Sequence, residues 1–432
     1  MTSVPGVDVR HDPRTFSTSD QVYVSLLWFA FFAQWMTVVP IIVPDQVATI
    51  LGADAANKEG ISGSIIALGG FASLVVSPLA GAWSDRLRAP RGRRRPFIIA
   101  GILGSCIALA LMIPFGPGSN LMLYAGAFLL LQTWWNLGAG AYTGLVPDVV
   151  PERDRGAASG WINVMSILGT VTGSTLLVVA YKPGRPEYMI CIFIVLNLVC
   201  LAVTLARVRE PPAAGDPHPF SLASFVRSFY IDPNLHRNFY WVLITRLVAN
   251  MGIWSIFTFL LFYVQDVVGI ANPTNVLPAL LGVGAVVAIP ASMIGVRLAA
   301  RYGIVEVVRG TSWIMAAAAI CYVLIALHPS LIVLIPVVIV FSASYGAYQA
   351  VDWALALAVL PSSSGAGKDM GIWHVSMVLP QILGPATTGW LISGLKSATS
   401  ANVAYTVAFG IAALWFVLAS ILVGRVRLAK AA

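Results

Sequence analysis

Long apolar runs separated by short polar breaks make up most of the chain. A helix needs about 20 residues to cross a hydrocarbon core roughly 30 Å thick. Twelve runs have that length: 22–44, 61–83, 97–115, 121–146, 157–180, 188–208, 238–264, 276–299, 307–327, 331–358, 371–393 and 402–424. The pattern predicts an all-α membrane protein with twelve transmembrane helices. Gly and Pro recur inside the runs, which spanning helices tolerate because neighbouring groups re-satisfy the freed backbone. The longest polar stretch, 207–237, divides the runs six and six. It predicts an N-terminal six-helix bundle (1–206), a cytosolic linker (207–237) and a C-terminal six-helix bundle (238–432). The Pro-rich start of that stretch reads as linker, and Ser221 to Tyr230 is weakly amphipathic, as a segment lying on a membrane surface would be.

The two halves repeat. Gly160-Trp161-Ile162-Asn163-Val164 in span 5 is echoed by Gly371-Ile372-Trp373-His374-Val375 in span 11. Span 8 ends on Gly295, Leu298, Ala299, Arg301 and Gly303, a degenerate copy of the end of span 2. Internal repeats in a membrane chain mark secondary transporters that hold substrate at the repeat interface, so the bundles are expected to be pseudo-symmetric.

Composition agrees. Of 432 residues, 58% are hydrophobic and 10% charged, against about 25% charged in soluble domains, and the mean hydropathy is +0.84. The net charge of +8 does not point to nucleic acid, because of where the charges lie. With both termini in the cytosol, all but four of the 26 Lys and Arg residues face the cytosol or its membrane edge. The four exceptions are Lys58, Lys182, Arg185 and Lys396. The positive-inside rule then fixes the orientation. Cys106, Cys191, Cys200 and Cys321 all fall in apolar runs without metal or disulfide spacing, and no cleavable signal peptide is visible. There is no HExxH, GxSxG or GxxxxGK[ST] pattern and no nucleotide-binding domain. Four of the five histidines, His11, His218, His236 and His328, lie in loops or at span ends. Neither an enzyme nor a metal or cofactor is expected.

Between spans 2 and 3 stands Gly81-Ala82-Trp83-Ser84-Asp85-Arg86, followed by Arg91-Gly92-Arg93-Arg94-Arg95-Pro96. Charge of this density does not cross a bilayer, at roughly 2.5–3.5 kcal/mol per residue at the centre. Gly81 allows close helix approach. Asp85 can accept hydrogen bonds from arginines. The arginines can pair with Asp148, Glu152 and Asp154 or with lipid headgroups, or serve topology alone. The stretch resembles the loop between helices 2 and 3 of major facilitator superfamily transporters. That resemblance covers the whole chain and implies gating of the inward-facing opening by Gly81, Asp85, Arg86, Gly92, Arg93 and Arg94.

The longer loop ending Gly92-Arg93-Arg94-Arg95-Pro96-Phe97-Ile98 resembles the sucrose–proton symporters of plants and their animal and bacterial relatives. Asn136, Gly138 and Gly140 are similar too, as are Gly367-Lys368-Asp369-Met370-Gly371 and Leu379-Pro380-Gln381. In those symporters a span 4 carboxylate is implied as proton carrier. The matching position here is Gln132, which cannot titrate, so that either another acid carries the proton, or coupling differs, or the protein is a facilitator. The Gly-Pro motif of the superfamily's drug–proton antiporters is absent from span 5, which has Gly169 and Gly173, while Gly384-Pro385 lies in span 11.

Ionisable groups within spans are default functional candidates. Arg246, Asp352 and His374 all fall in the cytosolic half of the C-terminal bundle. Imidazole and carboxyl groups with ordinary pKa values near 6.5 and 3.9, set together and partly buried, would take up a proton near neutral pH, which makes these three the expected proton-coupling set. A fixed Arg246–Asp352 ion pair is the alternative. Asp45 and Asp266 at the outer span ends read as solvated, with an entry role as the alternative. A neutral lining comes from Gln34 and Trp35 in span 1, Gln132, Trp134, Trp135, Asn136 and Tyr142 in span 4, and Trp161 and Asn163 in span 5. Tyr345, Tyr348 and Gln349 in span 10 face it. Amides that donate and accept beside flat aromatic faces suit sugars, whereas the bland reading of such Trp and Tyr residues is an interfacial belt.

The expected function is therefore a proton-coupled secondary active transporter, moving a small neutral solute such as a sugar or glycoside by alternating access. Alternatives are an exporter of amphipathic compounds or drugs, and a non-transporting assembly factor on the same fold. The expected partners are substrate, protons and membrane lipid. A monomer in a bacterial inner membrane is expected.

Overall fold

The computed structural model describes residues 16–89, 92–210, 236–359 and 366–427, with the backbone alone for 366–374. The amphipathic stretch expected at 221–230 lies outside them. Twelve helices run through the described residues: α1 (Thr18–Leu51), α2 (Lys58–Ser84), α3 (Arg95–Leu111), α4 (Leu121–Val149), α5 (Arg155–Ala180), α6 (Glu187–Arg207), α7 (Arg237–Asp266), α8 (Pro273–Tyr302), α9 (Ile304–Leu327), α10 (Leu331–Ala358), α11 (Ala366–Ala398) and α12 (Ala401–Val423). Each expected span has its helix. Ten of the helices are long and apolar enough to cross a membrane. Of the other two, α3 is short, and α4 carries Gln132, Trp134, Trp135 and Asn136 at mid-length, which dilutes its hydropathy. The protein is an integral membrane protein.

Local chemistry sets the ends. Ser17 starts α1 with a reciprocal capping box: its hydroxyl accepts from the Asp20 N–H at 3.2 Å, while its own N–H donates to the Asp20 carboxylate at 2.9 Å. Asn120, Ser330 and Ser400 cap α4, α10 and α12 in the same side-chain-to-backbone manner, satisfying amides that a helix cannot pair internally. Helix α1 widens into a π-turn at Val38–Ile42 around Pro40, because proline has no N–H to give the ladder. It therefore runs past the expected end at 44 and turns out at Gly52, whose φ of 99° suits glycine.

The packing repeats. In the first half α1 lies against α5 and α6, α4 against α2 and α3, and α3 against α6. In the second half α7 lies against α11 and α12, α10 against α8 and α9, and α9 against α12. Each pairing maps onto its counterpart six helices on, as the sequence repeat implies. The halves meet along α2–α11 and α5–α8, also a symmetric pair, and the π-turn of α1 touches α7.

Small residues make the α2–α11 seam close. Side chains at Gly60, Gly63 and Gly70 would run into Trp390, the Pro385 carbonyl and Ile382 respectively, and one at Gly389 would sit 2.5 Å from the Glu59 carbonyl oxygen. Lipid tails are as apolar as the helices, so such association rests on backbone approach and packing rather than on the hydrophobic effect. These contacts occupy the half of α2 remote from the chain termini. There Ser393 accepts from the Gly60 N–H at 2.9 Å and the Trp390 indole donates to Ser64 at 2.9 Å.

Gly63→Val is expected to lower the thermal midpoint by the equivalent of about 1–3 kcal/mol, the usual cost of overpacking. Gly126→Val, where nothing lies within 4 Å of the new Cβ, should change it little. Thermal unfolding of both variants in lipid nanodiscs checks this, and equal midpoints would refute the seam.

Candidate functional site

The polar insertion in α4 is held by α2. Gln132 and Asn136 are one turn apart and share a face. The Asn136 amide nitrogen donates to the Gln132 carbonyl oxygen at 2.7 Å, and the Ser73 hydroxyl donates to Asn136 Oδ1 at 2.9 Å. The Gln132 side chain fills the notch left by Gly69, where a Cβ would stand 2.7 Å from its Cγ. In α1, Gln34 Oε1 accepts from Asn197 of α6 at 2.6 Å, and its amide nitrogen is buried without a hydrogen-bond partner among the described residues. Trp35 meets Trp254 of α7 edge-on at 5.6 Å, and Trp254 meets Phe257 likewise. This aromatic step joins the two halves. In α10 the Gln349 amide donates to the Tyr345 hydroxyl at 3.0 Å.

The other residues named from the sequence make the following contacts. Trp135 is buried against Phe31, with ring centroids 5.0 Å apart, and Tyr348 is fully buried. The Trp134 ring sits over Gly104 of α3. The Tyr142 hydroxyl accepts from the Leu27 N–H at 3.3 Å and donates to the Val24 carbonyl, which ties α4 to α1. Trp161 is half-buried and Asn163 exposed on α5.

Arg246 and Asp352 come together as their positions suggested, 3.1 Å apart and both buried. Arg246 also donates to the Met377 sulfur at 3.4 Å, and its carbonyl accepts from Asn250 at 2.9 Å. His374 belongs to α11, but its side chain lies outside the described residues, as do those of Gly367 to Gly371.

The signature loop forms a knot within the first half. Arg94 pairs with Asp85 at 2.5 Å and Asp148 at 2.6 Å, and Arg93 pairs with Asp148 at 2.8 Å. Ser84 accepts from Arg94 at 3.0 Å. The Glu210 carboxylate accepts from the backbone N–H groups of Arg94 and Arg95 at the start of α3, where a helix N-terminus favours an anion. Gly92, with φ of 109°, packs against Glu210, and Arg95 donates to the Leu205 and Val208 carbonyls at the end of α6. Arg86 donates to the Ala82 carbonyl one turn back, and Gly81 approaches Gly140. The loop thus fastens the ends of α2, α3, α4 and α6 to one another. Asp154 pairs with Arg153 rather than with the loop.

One cluster escaped the sequence reading. At the end remote from the termini, Lys58 pairs with Asp266 at 3.1 Å, and Lys396 bridges Asp266 at 2.6 Å and Glu59 at 2.9 Å. Lys58 also donates to the Ala53 carbonyl at 2.9 Å and lies 5.0 Å over the Phe262 ring. Tyr405 reaches Glu59 at 3.5 Å. Lys58 and Glu59 are 1% and 0% exposed. Asp266 is therefore not solvated but central to an inter-half network. Asp45 is likewise engaged, accepting from the Tyr181 hydroxyl at 2.5 Å and the Gly184 N–H at 2.8 Å. The signal was present in the chain: Lys58 and Lys396 are two of the four exceptions to the charge asymmetry. Among described residues, the ion pairs joining the halves are those of this cluster.

A family model described as Major Facilitator Superfamily matches residues 24–367. The Sucrose transport protein SUT1 of Oryza sativa subsp. japonica is 25% identical over 34% of this chain and 34% of its own. For SUT2 of Oryza sativa subsp. indica the values are 29%, 34% and 36%. The chain thus matches about a third of the length of these curated relatives. Among solved structures, a bacterial homologue of the human lysosomal transporter Spinster, inward-facing and unoccupied, covers 96% of this chain and 100% of its own, at TM-score 0.66 and 16% identity. The nucleoside transporter NupG covers 94% and 99%, at 0.73 and 12%. At these identities the likeness establishes the fold alone.

Lys396→Met strands Glu59 as a buried unpaired charge, which costs about 3–5 kcal/mol and favours separation of α2 from α11. Spin labels on Ala56→Cys and Thr399→Cys, both at exposed positions, should report a longer distance in that variant by pulsed electron resonance. Adding Glu59→Gln should shorten it again. An unchanged distance in the single variant would remove the cluster as a seal.

Proposed function

Since the chain belongs to the Major Facilitator Superfamily, we propose that it is a proton-coupled transporter of a small neutral solute, with a saccharide such as sucrose as the first candidate. The observation that carries the reading is the pair of α4 amides, Gln132 and Asn136, oriented by α2, in a protein whose halves also meet through the aromatic step of Trp35 and Trp254. Amides donate and accept at once, as hydroxyl-rich ligands require, and aromatic faces suit the C–H side of a pyranose. Gln34, Trp161, Asn163, Tyr345 and Gln349 complete the proposed lining. The partial likeness to plant sucrose transport proteins supports the substrate class.

In this reading the two six-helix halves rock about the central site, with 207–237 as their linker. The end bearing the termini is cytosolic, following the charge asymmetry, and the sealed end is extracellular. The conformation is then inward-facing. The knot of Asp85, Arg86, Arg93, Arg94 and Asp148 keeps the cytosolic ends of the first half together as it moves. Gln132 leaves the middle of α4 without an acid, and Asp148 at its end is held in the knot, so coupling falls to the buried Arg246–Asp352 pair. A proton on Asp352 releases Arg246, and the energy available from the membrane potential is about 2.3 kcal/mol per charge per 100 mV.

The aromatic step of Trp35, Trp254 and Phe257 also favours a second reading, export of amphipathic compounds, and the same assay separates the two. Sucrose added outside proteoliposomes carrying an internal pH dye should acidify the lumen. Silence across mono- and disaccharides, with flux of apolar compounds, would favour the exporter. Asp352→Asn is expected to abolish gradient-driven accumulation while retaining sucrose counterflow. Accumulation at the wild-type level in that variant would remove Asp352 from coupling.

A further inference from the structure

Helices α2 and α4 face each other through two matched pairs of positions, each one turn apart: Gly69 and Ser73 on α2, Gln132 and Asn136 on α4. We propose that Gly69 and Ser73 are positioning residues that hold the two α4 amides in the geometry that binds a vicinal diol. The inference rests on the saccharide reading and specifies how that site recognises its ligand.

The chemistry of the hydrogen bonds fixes the Asn136 amide. Its nitrogen donates to the Gln132 carbonyl oxygen at 2.7 Å, and a backbone carbonyl can only accept, so the amide cannot be turned over. On its other side the Ser73 hydroxyl donates to Oδ1 at 2.9 Å. Each contact uses one donor or one lone pair. One N–H and one carbonyl lone pair are left for a ligand. A planar amide with both still available matches two neighbouring hydroxyls: its oxygen accepts from one and its nitrogen donates to the other.

Gln132 is placed by shape rather than by hydrogen bonds. Its side chain occupies the space that a residue larger than glycine would take at position 69, with a Cβ there falling 2.7 Å from Gln132 Cγ, 2.7 Å from Phe128 Cε1 and 3.0 Å from Gln132 Nε2. Its amide has no hydrogen-bond partner among the described residues. A long flexible side chain held in this way has lost its rotamer freedom before a ligand arrives, which reduces the ordering cost of binding. Helices α2 and α4 pack together within the first half, so the four residues move as one body when the halves rock. The diol site is then the same in both access states.

Interhelical hydrogen bonds between small polar residues also serve packing alone, and the test separates the two roles. Binding of labelled sucrose to the full-length protein in nanodiscs is measured together with thermal midpoints. Ser73→Ala should raise the sucrose Kd about tenfold, the scale of one lost hydrogen bond, while Ser73→Thr, which keeps the hydroxyl, should stay within about twofold. Gly69→Ala should weaken binding by displacing Gln132. The losses should not add: Ser73→Ala should do nothing further in Asn136→Ala, nor Gly69→Ala in Gln132→Ala. Variants with lower midpoints and an unchanged Kd, or with additive losses, overturn the positioning role and leave the saccharide reading standing. A wild type that binds no saccharide overturns both.

Discussion

The sealing of one end of the molecule by four charges, Lys58 and Glu59 buried and Asp266 and Lys396 partly so, is the constraint on which the remaining geometry depends. The formal charges of Lys58, Glu59, Asp266 and Lys396 sum to zero, and the two residues of the first half, Lys58 and Glu59, pair with Asp266 and Lys396 of the second. Desolvating such groups costs several kcal/mol per ion, offset only when geometry and partners are complete. Removal of one member therefore leaves a charge without its partner. With it closed, α2 and α11 come within backbone contact over the same half of their length, and Trp35 and Trp254 meet below it. Among the described residues, one carboxyl oxygen of Glu59 is buried without a hydrogen-bond partner.

Helix α2 connects the seal to the proposed binding wall. One of its faces carries Gly60, Gly63 and Gly70 against α11, and another carries Gly69 and Ser73 against α4. Opening the seal changes the first contact. The second lies inside one half and is kept. In the proposed reading, a helix so placed lets access change while the wall facing the ligand stays constant, which alternating access about a fixed site requires.

The knot of arginines acts at the opposite end in a different way. Arg94 is largely buried and shared by Asp85 and Asp148 while its backbone is held by Glu210. These are charge-assisted bonds within the first half, joining four helix ends. The knot rigidifies a body, whereas the Lys58–Lys396 cluster joins two bodies. The arginine knot and the Lys58–Lys396 cluster thus divide between making one half firm and holding the halves together.

Hydropathy and charge placement made the helix count and the internal repeat legible, because lipid exposure forces whole-helix apolarity and insertion biases the flanking charges. The Arg246–Asp352 pair was legible too, because ionisable residues within spans are few. The α4 amides stood out for the same reason. Other matters were decided only in three dimensions. That Trp135 meets Phe31 and Tyr142 meets the Val24 carbonyl was not legible in the chain, since the rotational setting of a spanning helix is fixed by its neighbours and not by its own nearly uniform apolar surface. Asp266 looked like a solvated end, yet it joins Lys58 and Lys396, because residues more than a hundred positions apart meet only once α2, α7 and α11 have packed. Ser73 and Gly69 carry no signal of their own in the sequence. Their role comes from the helix opposite them, so the sequence determined which groups the membrane would contain, and the tertiary structure alone decided which of them meet.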